Sequence, residues 1–239
     1  MLPLLLLATV LCASPARAAP LRLVTEEVPP SVMKQGERIT GYSADKVRTL
    51  MERTHTPYTM TMYAWSRSFS LAQTQADTCV FPMARLPERE ALFKWVGPLH
   101  ASDWMLVGRA RDRHVLRSLD DARGLRIGSY VGDYRARTLQ EHGLQVEFVA
   151  DDALNIKKLL MGRIDLWVAS RRHAEIEIER RGLKGQLVPL LTFRRTDVYL
   201  ACNRALPDAE IARLNAGWHA MLTDGTVAVI EARYTQSRE

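Results

Sequence analysis

The 239-residue sequence lacks the short motifs that mark most nucleotide-dependent and hydrolytic enzymes. It has no Gly-x-Gly-x-x-Gly fingerprint, no Walker phosphate loop, no Gly-x-Ser-x-Gly elbow and no His-Glu-x-x-His zinc motif. Its six histidines show no spacing typical of a metal site. These absences argue against the common cofactor and metal enzymes. We therefore predict no cofactor, no metal ligand and no catalytic residue.

Dense basic clusters interleaved with aromatic residues are also missing. Lysine and arginine together number 33 against 27 acidic residues, a formal charge of +6 that is spread along the chain. This pattern excludes nucleic acid as a favoured partner. The excess could attract anionic solutes or an acidic partner surface, or it could be an ordinary solvated basic surface.

Long apolar segments are limited to the first 13 residues, a run shorter than the ~20 residues needed to span a bilayer. Ala16-Arg17-Ala18 follows and fits a signal-peptidase site. We interpret residues 1–18 as a signal peptide and predict a periplasmic, monomeric protein. The alternative is a buried N-terminal helix.

Cysteine is scarce, and only Cys79 and Cys202 would remain after signal cleavage. Both lie in apolar, strand-like segments. In an oxidising compartment they could form a disulfide, and they could equally be two buried thiols, because sequence does not give their separation.

What the sequence does contain is a regular alternation of short strands and helices, which restarts near Leu125. Such alternation predicts an α/β fold with mostly parallel sheets, divided into two lobes of roughly 100 residues each. Ligands of such sheets gather at strand carboxyl ends and helix N-termini. Here those places are Thr25-Glu26, Met83 to Arg89 and Tyr130 to Tyr134.

The segment around Arg89 carries the sharpest signal. Arg89 follows the strand Thr78–Phe81 by one turn, so its planar guanidinium could point into a cleft and bind a carboxylate with two hydrogen bonds. The alternative is a surface arginine paired with Glu90.

Several segments, in this order, resemble the family 3 extracellular solute-binding proteins. They are Leu21 to Pro30, Gly41-Tyr42-Ser43-Ala44-Asp45, Leu86-Pro87-Glu88-Arg89, Gly162-Arg163-Ile164-Asp165 and Leu214 to Thr226. The resemblance implies the fold of type II periplasmic binding proteins, whose two lobes are joined by a two-strand hinge. It places lobe 1 at 20–107 plus 200–239 and lobe 2 at 108–199. The crossovers would lie near Val107-Gly108 and near Asp197-Val198.

The resemblance also implies that Arg89 binds a ligand carboxylate. A partner would be a small-molecule solute, with an inner-membrane permease of an ABC importer, or a sensor, to receive it. Ser170 stands where many family members have an acid for an α-amino group. We therefore predict a small polar, carboxylate-bearing solute without naming an amino acid.

Further candidates for the cleft come from the same strand ends and helix starts. Asp133 would either oppose an anion or cap its own helix. The other candidates are Glu26, Trp65, Arg67, Arg85, Tyr130, Gly132 and Tyr134.

Two other functions remain open at this point. A few relatives on this fold are dehydratases of cyclic acids, and Glu26 or Asp133 could serve as the acid or base. An accessory module with a vestigial cleft is the other alternative, and it would bind no solute.

Overall fold

Strands and helices alternate along residues 20–234, the part of the chain that the computed structural model describes. The predicted signal peptide, residues 1–18, lies outside the described residues. Elements from both ends of this range build the first half of the molecule. Its elements are β1 (Leu21–Thr25), β2 (Met33–Gln35), β3 (Arg38–Thr40), α1 (Tyr42–Arg53), β4 (Tyr58–Met62), α2 (Trp65–Thr74), β5 (Thr78–Ala84), α3 (Pro87–Glu90), α7 (Asp208–Thr223) and α8 (Thr226–Arg233).

The second half is continuous in sequence. Its elements are β7 (Ile127–Tyr130), α4 (Tyr134–Glu141), β8 (Val146–Val149), α5 (Ala153–Leu160), β9 (Leu166–Ser170) and α6 (Arg171–Arg180). Short 3₁₀ turns at Ala110–Asp112 and Leu119–Ala122 lead into it.

Two long strands join the halves: β6 (Phe93–Arg109) and β10 (Leu187–Asn203), each of 17 residues. They run antiparallel to each other along their length. The strand order is β4-β1-β5-β10-β6-β9-β7-β8. Within this eight-stranded sheet, the pairs that involve neither β6 nor β10 are parallel. β2 and β3 form a separate antiparallel pair. The predicted α/β fold with mostly parallel sheets and two joining strands is confirmed.

Apolar residues cover both faces of the sheet in each half. In β6, Met105 and Val107 belong to one buried cluster and Leu106 to another, because successive side chains of a strand point to opposite faces. In β1, Leu21 and Leu23 belong to a different cluster from Val24 for the same reason. Among the described residues, the buried members of each cluster come from one half only, so each half has its own core.

The long strands change partners in a narrow zone. β10 pairs with β5 from Val198 onward, and β6 pairs with β9 from Trp104 onward. Between these points, residues 101–103 pair only with residues 195–197. We propose this zone as the boundary of the lobes. This boundary agrees with the crossover predicted near Asp197-Val198. It differs from the one predicted near Val107-Gly108, because Val107 and Gly108 are already paired with β9.

Cys79 of β5 and Cys202 of β10 form a disulfide. They face each other in the antiparallel pairing of the two strands, and both are fully buried. Of the two alternatives that the sequence left open, the disulfide is the one found. It lies within the core of the first half.

No helix within residues 20–234 is long and apolar enough to span a membrane.

Candidate functional site

A cavity of about 610 Å³ lies between the two halves. Its walls come from strand ends and helix starts of both halves, and its floor includes the crossover residues Ala101–Trp104 and Arg195–Val198, except for Asp197. Six of the predicted site residues line it: Glu26, Trp65, Arg89, Tyr130, Asp133 and Tyr134. Gly132 lines an adjoining cavity that shares Arg89, Asp133 and Tyr134.

Arg89 is buried in the wall of this cavity at the end of the single turn of α3, which begins with Pro87. Its guanidinium packs against the rings of Trp65, Phe69 and Tyr134, at 5.6, 5.4 and 4.8 Å from the ring centroids. Tyr134 belongs to the opposite half, so this contact crosses the cleft.

The guanidinium of Arg89 has almost no polar partner in the described residues. Its one hydrogen bond there is a long one, from Nη1 to the carbonyl oxygen of Ala84 at 3.5 Å. Burial lowers the pKa of Arg89 to about 10, which still leaves it protonated at neutral pH. The site thus holds a buried cation with most of its donors available to an anion.

Glu26 follows β1 and contacts a residue of the opposite half. The hydroxyl of Tyr130 donates a hydrogen bond to Glu26 Oε1 at 3.3 Å. Burial raises the pKa of Glu26 to about 8, although the nearby Arg135 acts in the opposite direction. Its carboxyl is therefore mostly neutral at neutral pH, and it adds little negative charge near Arg89.

Asp133 caps α4. Of its two predicted roles, opposing an anion and capping its own helix, the second is the one found. It accepts hydrogen bonds from the Arg135 amide at 3.0 Å and from the Ser129 hydroxyl at 2.7 Å. Its carboxylate also pairs with Arg135 Nε at 2.9 Å. Burial alone would lower the pKa of Arg135, but Asp133 holds it above its ordinary value. Because the pair is neutral overall, Asp133 does not oppose an anion with an unbalanced charge.

Among the described glycines, Gly132 lies closest to a side chain of the opposite half. Its φ is +85°, and a Cβ atom built on it would lie 2.9 Å from Cδ1 of Trp65. Any side chain at this position would therefore push against Trp65 across the cleft.

Arg67 and Arg85, which the sequence analysis also predicted for the site, do not line the cavity. Arg67 lies two residues after Trp65, which at 3.6 residues per turn puts it on the opposite side of α2. It packs on the ring of Tyr63 at 4.3 Å. Arg85 is held outside by Glu90, through a hydrogen bond from Nε to Oε2 of 2.8 Å.

Several residues of the lining were not predicted from the sequence. Tyr42, at the start of α1, lies beside His100 of β6, with 3.3 Å between Tyr42 Oη and His100 Nε2. Burial lowers the pKa of His100 to about 3, so its ring is neutral. The other missed residues include four arginines, Arg135, Arg171, Arg172 and Arg195. Arg171 and Arg172 directly follow β9, a position of the same kind as the one that identified Arg89.

Within residues 20–234, no group of three or more His, Cys, Asp or Glu side chains is arranged to hold a metal ion.

The comparison with solved structures identifies the same two-lobe fold. The ligand-binding core of GluR0 from Nostoc punctiforme, in complex with L-glutamate, matches with a TM-score of 0.80 at 20% identity, over 90% of this chain and 99% of that one. A histidine kinase sensor domain similar to periplasmic binding proteins matches with a TM-score of 0.83 at 19% identity, over 90% and 95%. The arginine-, lysine-, histidine-binding protein ArtJ from Geobacillus stearothermophilus matches with a TM-score of 0.79 at 14% identity, over 90% and 95%.

No curated protein matches the chain significantly by sequence. The family profile of the bacterial extracellular solute-binding proteins, family 3, matches residues 21–237. That match covers nearly the whole chain beyond the predicted signal peptide, and the two-lobe fold with a cavity between the lobes agrees with it. The chain therefore belongs to the bacterial extracellular solute-binding proteins of family 3.

Proposed function

We propose that the protein captures a small carboxylate-bearing solute in the cavity between its lobes and releases it unchanged. The observation that carries the proposal is the Arg89 guanidinium, buried among three aromatic rings with no carboxylate within ion-pair distance in the described residues. A buried cation of this kind is costly without an anionic partner, and a ligand carboxylate would supply one.

The proposed setting is the periplasm, where the protein would deliver its solute to an inner-membrane permease or a sensor. The solved relatives support a solute of the amino-acid type, since L-glutamate and basic amino acids are named for two of them. The family consists of binding proteins, which supports capture and release over catalysis.

Native mass spectrometry of the protein purified from a bacterial periplasm tests this proposal. We expect a small acid that co-purifies, leaves on mild denaturation and rebinds unchanged. The Arg89→Gln variant prepared in parallel should carry much less of this acid than wild type. Recovery of a bound molecule without an acidic group, or of a chemically altered product after rebinding, would count against the proposal.

The pH dependence of binding follows from Glu26. It faces Arg89 of its own half, Tyr130 of β7, Asp133 and Arg135 at the start of α4, and Asp152 before α5. Because the pKa of Glu26 is about 8, raising the pH from 6.5 to 9.5 should turn a neutral carboxyl into a carboxylate inside the cavity. We expect the affinity for an acid without an amino group to fall by about tenfold, which corresponds to one pKa unit of coupling.

Isothermal titration calorimetry across this pH range, with the released solute, checks the expectation. Glu26→Gln is the control, since it keeps the neutral form at every pH. It should leave only the small decline near pH 9.5 that follows from the Arg89 pKa of about 10. An affinity that rises with pH would instead show that a cationic group of the ligand lies beside Glu26.

Gly132→Ala should weaken solute binding, because its new methyl group would collide with Trp65 when the lobes approach. Gly185→Ala is a matched control: Gly185 has a similar φ of +80° but nothing within 4 Å of its added Cβ. Both variants should lose roughly 1–2 kcal/mol of stability from left-handed backbone strain. Only Gly132→Ala should also lose affinity, as measured by calorimetry, and an equal affinity for the two variants would contradict an interlobe role for Gly132.

A further inference from the structure

Five arginines line the cavity, and they differ in whether a carboxylate accompanies them. They are Arg89, Arg135, Arg171, Arg172 and Arg195. Arg135 pairs with Asp133 at 2.9 Å, while Arg171 and Arg195 lie 3.6 and 3.9 Å from Asp103. In residues 20–234, no carboxylate lies within ion-pair distance of the other two, Arg89 and Arg172.

Arg172 is the second residue of α6, in the half of the molecule opposite to Arg89. Its guanidinium carbon lies 4.2 Å from the centroid of the Tyr42 ring. Its Nε is buried and has no hydrogen-bond partner among residues 20–234. A charged donor that is buried and unsatisfied costs free energy, so its presence in a ligand cavity points to a partner that arrives with the ligand.

The surroundings of Arg172 do not cancel its charge. Lys46 and Arg172 both lie against the ring of Tyr42, and Lys46 is already paired with Glu231. His100, whose ring also packs against Tyr42, is neutral. Two carboxylates of the same lining are engaged by other cations, since Glu231 pairs with Lys46 and Glu175 lies 3.9 Å from Arg171. In the described residues neither forms an ion pair with Arg172, so its charge can be satisfied by an anion.

The two arginines without carboxylates occupy different parts of the lining. Arg89 lies among Trp65, Phe69 and Tyr134, whereas Arg172 lies on Tyr42, and no ring is shared between them. A carboxylate bound among the three rings at Arg89 is not thereby placed on Tyr42, where Arg172 lies. A solute with a second acidic group would satisfy both.

We propose that Arg172 forms a second anion subsite, so that the cavity selects small organic solutes with two carboxylates, one bound at Arg89 and the other at Arg172. This inference rests on the proposed function and narrows it to a class of solute. Arg172 would also draw the lobes together through the ligand, since the two guanidinium groups belong to opposite halves.

Calorimetry with matched pairs of acids tests the inference: succinate against butyrate, glutarate against pentanoate, and L-glutamate against L-glutamine. For wild type we expect the diacid of at least one pair to bind roughly ten- to a hundredfold more tightly, the range for charge-assisted hydrogen bonds. Arg172→Gln should reduce that ratio to near one while retaining the weaker binding of the monoacid. Arg172→Lys should restore part of the ratio.

Arg180→Gln is the control, because Arg180 lies on the same helix, outside the cavity, and its partner Glu177 keeps Arg181. It should leave the ratio unchanged. If Arg172 were only a latch between the lobes, Arg172→Gln would weaken the diacid and the monoacid equally, and that result would overturn the inference. Equal binding of diacids and monoacids by wild type would also overturn it while leaving the proposed function intact. Failure of both series to bind would count against the proposed function itself.

Discussion

Replacing Arg89 with glutamine is expected to weaken solute binding by about 2–5 kcal/mol, the usual cost of removing one partner from a buried hydrogen-bonded charge pair. This corresponds to roughly a thirtyfold or greater rise in Kd. The reason is geometric, because Arg89 offers a planar set of donors that match a carboxylate, and its described surroundings take up only one of them.

The stability of the ligand-free protein should change far less, by no more than about 1 kcal/mol. Loss of the contacts with three rings lowers the free energy of unfolding of the variant. Removal of a buried, unpaired charge raises it, so the two effects partly cancel. Calorimetry and thermal denaturation of the same preparations separate the change in Kd from the change in stability.

Arg85→Gln is the matched control for the Kd measurement. It removes an arginine four residues away that Glu90 holds outside the cavity, and its Kd should equal that of wild type. An unchanged Kd for Arg89→Gln would mean that the solute is bound elsewhere.

Removal of the disulfide should have the largest effect on folding. Cys79 and Cys202 are 123 residues apart in sequence, so their link restricts a long loop of the unfolded chain. The free energy of unfolding should fall by about 2–5 kcal/mol in a Cys79→Ala/Cys202→Ala variant. For a protein of this size the melting temperature should drop by roughly 5–20 °C.

Thermal denaturation with and without a reductant measures this effect. The reductant should lower the melting temperature of wild type and leave the double variant unchanged. Solute affinity at low temperature should be unaffected, since both cysteines lie in the core of the first half and neither lines the cavity. Two titratable thiols in unreduced, denatured wild type would disprove the disulfide.

The fold could be predicted from the sequence because its local patterns agree with its tertiary structure. Short apolar strands such as Leu21–Thr25 alternate with helices that have one apolar face, and this determines parallel pairing within each half. The long strands were harder to predict. Leu187–Leu191 and Val198–Ala201 each have the apolar pattern of a short strand, but the mostly polar residues between them continue one strand. Those residues pair only with β6 at the crossover, where a strand needs no buried face.

Whether a residue lines the cavity could be predicted where its position follows from its own strand or helix. Glu26 directly follows β1, Asp133 lies three residues after β7 and Arg89 lies five residues after β5, and all three line the cavity. Arg67 and Arg85 do not line it, because their direction depends on helix phase and on the partner Glu90. Arg172 could not be chosen over Arg171 from sequence, since adjacent residues at a helix start point about 100° apart and only tertiary packing decides which one is left unpaired.

The antiparallel pairing of β6 and β10 has a mechanical consequence. Two strands about 4.8 Å apart and joined by ladder hydrogen bonds form a narrow ribbon, which bends across its faces more easily than within its own plane. Opening and closing should therefore be a single bending motion of this ribbon. The two lobes should not rotate independently of each other. For the membrane partner that we propose, a single angle between the lobes would then distinguish the ligand-bound protein from the ligand-free one.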